Sequence, residues 1–209
     1  NLKPLLLQPN LTIPGIVGNT AAWAVIAFLL RDVWRHGKGD LWLLPLAGAT
    51  FAVEALVVAR DGVSADNVGG VLFAVFIWFA MFRWLPQPAA PVWFLLSVAI
   101  IVDGLWPFNF TVHDPSTFYW FPLRGILGGS MWLNVQVILE KTFLYTALAY
   151  LGWRTTNSWP VSAGIGAILL ASVEWLQRLQ DGHVSEVTDP LLLVIAELVS
   201  RSFLSLGEN

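Results

Sequence analysis

Glu174, Gln177 and Arg178 close an apolar helix with a carboxylate, an amide and a guanidinium at i, i+3 and i+4, so one helical face presents all three. The chain then runs through Asp181-Gly182-His183 to Asp189-Pro190, where the next apolar stretch opens. Such groups are costly at the end of an apolar helix unless something binds them. The functional reading is a ligand site for a polar headgroup, with Arg178 holding a phosphate or carboxylate. The structural reading is that Glu174 pairs with Lys141 or Arg178 and fixes helix packing. Asp103, Glu140, Glu174 and Asp189 also admit a general acid and base pair of the kind that hydrolyses a lipid-linked glycan. The sequence offers no distance between them, so catalysis is the weaker reading. Asp189 ahead of Pro190 has a simpler role as an N-cap acid before Pro at the first helical position. Lys141 neutralises a buried acid or binds phosphate as a point charge. His183 with Asp181 and Asp189 lacks the spacing of a metal site, and no metal or cofactor is expected.

These residues sit in an unusually apolar frame. The 209 residues are 56% hydrophobic and 12% charged, against about 25% charged in a soluble domain, and the mean hydropathy is +0.67. An integral membrane protein is expected, with most of the chain in the bilayer. The net charge of -3 is spread out, and no basic stripe exists for nucleic acid. The lack of cysteine excludes disulfides, thiol catalysis and iron-sulfur clusters. The chain opens on Asn1 with no legible signal-peptide pattern, as a processed or partial chain would.

The fold class expected is an all-α membrane protein, a polytopic bundle of about seven transmembrane helices in a single domain over 1–209. The apolar runs are Pro14 to Trp34, Leu41 to Ala59, Val68 to Trp84, Val92 to Trp106, Val135 to Trp153, Val161 to Gln177 and Pro190 to Leu206. The last carries Glu197 and Arg201 at i, i+4, the spacing of a helix-end salt bridge near the interface. Arg31, Arg35 and Lys38 place the first loop in the cytoplasm, hence the N-terminus outside and the C-terminus inside. Glu54, Asp103, Glu140, Lys141 and Glu174 then collect near the outer ends of their helices, at one level. That placement lowers the cost of each charge and points to a shared polar cavity.

Val53-Glu54-Ala55-Leu56 followed by Asp61-Gly62 matches Val173-Glu174-Trp175-Leu176 followed by Asp181-Gly182 at the same spacing, and Trp34-Arg35 matches Trp153-Arg154. Helices one to three would thus repeat as five to seven around a connector, a 3+1+3 parallel repeat. The loop from Pro107 to Asn134 is rich in aromatics, and its segment Phe121 to Trp132 reads as a surface-lying or re-entrant turn. Asn10-Leu11-Thr12 and Asn109-Phe110-Thr111 match the glycosylation pattern by chance. His36, His113 and His183 all fall in loops, so axial ligation of haem or (bacterio)chlorophyll within the bilayer is not expected. Among the 12 tryptophans, Trp34, Trp84, Trp106 and Trp153 sit at span ends and fit interfacial belts. Trp23 and Trp78 fall mid-span, where they would face lipid, a partner subunit or pigment.

Three segments resemble the VanZ-like family of bacterial membrane proteins. Asp103-Gly104-Leu105-Trp106-Pro107-Phe108 is similar to the family's apolar helix ending in a Pro-Phe pair. Glu140-Lys141-Thr142-Phe143-Leu144-Tyr145-Thr146-Ala147-Leu148 resembles its acid-Lys helix start. Glu174-Trp175-Leu176-Gln177, then Asp181-Gly182-His183, Ser185 and Asp189, resembles its Glu-x-x-Gln helix and polar loop. The resemblance covers 92–203, leaving 1–91 as a degenerate repeat. His183 stands where the family tends to carry Arg, and the Asn and Gly expected after Asp189 are absent. The resemblance implies a protein of the bacterial cell envelope, of a kind linked to glycopeptide antibiotic resistance.

The reading favoured by the sequence is therefore an inner-membrane protein with an outer-facing polar pocket. It binds, and in the fullest form transports or modifies, an amphiphilic envelope component such as a lipid-linked glycan or phospholipid. Its ligand-binding residues are Glu174, Gln177, Arg178, Asp103, Glu140, Lys141 and Asp189, with Glu54 as the repeat counterpart. The alternative is a non-catalytic accessory subunit of a larger membrane complex, respiratory or photosynthetic, held through Trp-rich helix faces.

Overall fold

The computed structural model describes residues 11–34, 39–56, 64–110, 117–122, 131–180 and 185–206, with the side chains of 54–56, 131–133 and 203–206 outside that set. Among the described residues the chain is all-helical. Its α-helices are α1 (Ile13–Val33), α2 (Leu43–Leu56), α3 (Ala65–Ala80), α4 (Ala89–Leu105), α5 (Met131–Thr156), α6 (Trp159–Gln177) and α7 (Thr188–Leu206), with short 3-10 turns at Gly39–Trp42 and Phe82–Trp84. Each apolar run of the sequence carries one helix. Among the described residues three helical stretches are long and apolar enough to cross a membrane: Ile13–Val33, Ala65–Trp84 and Trp159–Gln177. The helical stretches Gly39–Val53 and Ala89–Leu105 are apolar but shorter. A helix of 17 residues such as α4 rises only about 26 Å, against a hydrocarbon core of about 30 Å. α5 is long, at 26 residues, but carries Glu140, Lys141 and Arg154.

The chain divides into two compact units, Asn1–Asp103 and Gly104–Asn209. In the first unit α1 and α3 pack along their length, with α2 touching them lightly. Both starts are capped by hydroxyls: Thr12 accepts from the Gly15 N–H at 3.1 Å and Ser64 from the Asn67 N–H at 3.2 Å. The two helices run parallel, because Asp66 in the first turn of α3 accepts from both the backbone N–H and the hydroxyl of Thr12, each at 2.8 Å. At their other ends Arg31 donates to the Arg83 carbonyl at 2.8 Å. Asp40, 1% exposed, accepts from Trp78 Nε1 at 3.1 Å and pairs with Arg83 Nε at 3.4 Å. This bond corrects the expectation for the mid-span tryptophans. Trp78 is fully buried and Trp23 only 9% exposed, so both belong to the core of this unit rather than to a surface for lipid, partner or pigment. A buried indole needs a partner for its N–H, and Asp40 supplies it.

In the second unit α5, α6 and α7 pack mutually as a three-helix bundle. A tight turn at Asn157, with φ of 55°, reverses the chain between α5 and α6. Ser162 of α6 then donates to the Ala149 carbonyl of α5 at 3.0 Å. α6 and α7 approach closely at Gly166, where a Cβ would sit 2.7 Å from Leu193 Cδ2. α5 begins at Met131, so Glu140 and Lys141 lie in its interior rather than at its start. Lys141 is roughly 15 Å along the helix.

The expected turn over Phe121 to Trp132 falls largely on 123–130, outside the described residues. The same holds for Arg35, Lys38, Asp61-Gly62, Asp181-Gly182-His183, Asn10, Thr111 and all three histidines.

Candidate functional site

Three helices of the second unit bring opposite charges together. Lys141 of α5 pairs with Asp189 of α7, Nζ to Oδ1 at 2.6 Å. α7 starts at Thr188, so Asp189 lies within its first turn and not at the N-cap. Its carboxylate serves the lysine instead. Glu174, in the last turn of α6 and 4% exposed, accepts from the Glu186 backbone N–H at 2.9 Å. Its carboxyl also lies within hydrogen-bonding reach of Asp189 and in the field of Lys141. Glu174, Lys141 and Asp189 thus form one cluster.

Residues that the sequence reading passed over complete this cluster. Glu186 is 6% exposed, and its side chain accepts from the Thr188 hydroxyl at 2.7 Å. An extended piece runs beside it: Tyr119 N–H donates to the Ser185 carbonyl at 2.9 Å and Val187 N–H to the Tyr119 carbonyl at 3.2 Å, a parallel bridge between Tyr119 and Glu186. Phe118, next in this piece, lies 6.2 Å from Trp175 of α6, ring centroid to centroid. The aromatic loop therefore reaches the end of α6 and fixes the backbone that donates to Glu174. Ser185 and Gln180 are buried, and Ser185 Oγ and Gln180 Oε1 have no hydrogen-bond partner. Ser185 directly precedes Glu186, and its unsatisfied buried hydroxyl marks a polar place that a ligand or water would complete.

The expected side chains of α6 part company. Gln177 donates to the Gly104 carbonyl at 2.9 Å, and Gln180 to the Leu105 carbonyl at 2.6 Å. These are terminal carbonyls of α4, which lack partners within their own helix. Gln177 therefore caps a neighbouring helix end rather than facing a ligand beside Glu174. The approach is close: a Cβ on Gly104 would sit 2.6 Å from Val173 Cγ1. Arg178 follows the end of α6 and stacks on Trp175, its guanidinium carbon 4.5 Å from the ring centroid. It is half-buried, at the margin of the cluster. Glu140 precedes Lys141 by one residue, hence about a quarter turn round α5, and is exposed. Asp103 is exposed near the end of α4 and belongs to the first unit. Glu54 lies in the last turn of α2, and its side chain is outside the described residues.

Among the described residues no three His, Cys, Asp or Glu side chains are grouped to hold a metal ion. The cluster offers three carboxyls as hydrogen-bond acceptors against one ammonium, with a guanidinium at its margin. Such a set suits the hydroxyls of a polar head at the carboxyls and an anionic group at Arg178. No family model, curated protein or solved structure matches this chain.

Proposed function

We propose that this chain is a VanZ-like membrane protein of the bacterial cell envelope that binds the polar head of an amphiphile, a lipid-linked glycan or a phospholipid, at Glu174, Lys141 and Asp189. The observation that carries this reading is the Lys141–Asp189 pair at 2.6 Å beside a Glu174 that is 4% exposed, three ionisable side chains from three helices. Intramembrane ionisable groups that meet in a bundle interior are functional candidates by default. In this reading the glycan or glycerol hydroxyls donate to Glu174 and Asp189, Arg178 takes the phosphate, and Glu186 and Thr188 hold the loop in place. Gln177 supports the site through α4. Glu140 contributes to the potential around it rather than to contacts. Binding is the whole of the proposed activity.

We infer that all seven helices cross the inner membrane, with the N-terminus outside and the Glu174 cluster near the outer surface. The apolar runs and the bias of Arg and Lys in the loops support this. In each unit the first and third helices run parallel, and α2 and α6 each end just beyond a glutamate, Glu54 and Glu174. Both features fit a parallel repeat. The test is direct. Native purification of the wild-type chain should recover a tightly held lipid or lipid-linked glycan, and Glu174→Gln should lose it while still inserting. Equal recovery from both would remove the site from the proposal.

A further inference from the structure

A second polar feature lies in the same bundle, away from the Glu174 cluster. Glu197 is eight residues beyond Asp189 on α7, about 12 Å along the helix. It is 6% exposed, and its Oε2 is buried without a hydrogen-bond partner. The sequence places Arg201 at i+4, the spacing of an ion pair, yet the carboxylate does not use it. Its surroundings are the Ala163 backbone amide and the more distant field of Arg201. Glu197 and Arg201 both line a cleft of about 180 Å³ between the start of α6 and the middle of α7, with Trp159, Ala163, Val194 and Leu198 as its apolar walls. Trp159 is held rigid by stacking on Trp153, with ring centroids 4.8 Å apart and planes within 5°. Val194 and Leu198 are 40% and 58% exposed, so the cleft opens along a face that α6 and α7 turn outward.

The geometry points to a seat for an amine-bearing phospholipid in this cleft. A buried carboxylate oxygen with no donor calls for an N–H or O–H group, and a charge left unpaired there is expensive. One turn away, with Cβ atoms about 5–6 Å apart, the exposed Arg201 offers a guanidinium suited to phosphate. The two charges are complementary to a phosphoethanolamine zwitterion, whose ammonium enters the cleft to Glu197 and whose phosphate stays at Arg201. An acyl chain then lies along Val194 and Leu198. A choline head cannot donate an N–H bond to Glu197, so it is discriminated against. This site is independent of the Glu174 cluster.

The experiment is native mass spectrometry of the full chain released from nanodiscs holding phosphatidylethanolamine and phosphatidylcholine in equal amounts. The wild type is expected to retain phosphatidylethanolamine over phosphatidylcholine by about tenfold or more, the factor of one charge-assisted hydrogen bond. Glu197→Gln should bring the two to parity. Ala163→Leu, which fills the cleft, should remove retention of both there. Glu174→Gln should leave the preference intact, which separates this seat from the other cluster. Equal retention of the two lipids by the wild type would overturn the inference. So would a preference that survives Glu197→Gln, or one abolished by Glu174→Gln.

Discussion

Lys141 Nζ stands 2.6 Å from Asp189 Oδ1, and the pair ties the interior of α5 to the first turn of α7. The lysine side chain is 31% exposed and that of the aspartate 14%, so solvent screens the pair only in part. Removing the lysine leaves two neighbouring carboxyls, Asp189 and Glu174, without a cation.

Lys141→Met should therefore destabilise the second unit by about 1–3 kcal/mol. The double variant Lys141→Met/Asp189→Asn should recover part of that loss. Denaturant unfolding in mild detergent, followed by circular dichroism, measures both. Strictly additive losses would show that the two groups do not couple.

The glutamines of the α6 end make a different kind of contact. Gln180→Leu removes one of two donors to the Leu105 carbonyl of α4, the Phe108 N–H remaining at 2.6 Å, and should destabilise by about 0.5–1.5 kcal/mol. Because the effect is on packing, recovery of a bound amphiphile per folded molecule should be unchanged. Loss of the amphiphile with full retention of stability would reverse this assignment.

Gly104→Ala places a methyl group 2.6 Å from Val173 Cγ1. Overpacking of this kind should lower the unfolding free energy by about 1–3 kcal/mol. Val173→Ala in the same chain should relieve much of it. If Gly104→Ala unfolds like the wild type, the close approach of the α4 end to α6 is not present in solution.

In the first unit the buried Asp40 accepts from Trp78 and pairs with Arg83. Arg83→Met strands that carboxylate and should loosen the ends of α1 and α3, seen as faster amide exchange around Val33 and Phe82. Trp78→Phe should do the same more weakly, since it removes only a neutral donor. Unchanged exchange in both variants would mean that Asp40 does not latch this end.

The helices were legible in the sequence because each apolar run is bounded by polar, Pro or Gly residues, and each carries one helix. The cluster was legible in its core: Glu174, Lys141 and Asp189 are ionisable groups stranded in apolar surroundings. What escaped is long-range and backbone-mediated. Nothing local in Glu186 or Thr188 announces burial, because their environment is made by Tyr119, far away in the chain, bridging to that segment. Gln177 shares a helical face with Glu174 by spacing alone, but the unfilled carbonyl of Gly104 draws it elsewhere. Trp23 and Trp78 read as outward anchors because apolar periodicity is weak in helices that are hydrophobic all round. Only the pairing of α1 with α3 shows that they face inward.

The most direct test is to identify what the full chain holds after native purification, wild type against Glu174→Gln, with membrane insertion and thermal unfolding checked in parallel. The expected result is a defined lipid or lipid-linked glycan bound to the wild type at near one per chain and lost by about tenfold or more in the variant, the factor of one charge-assisted hydrogen bond. The same amphiphile bound equally to both chains, or none bound to either, would contradict a binding site at Glu174.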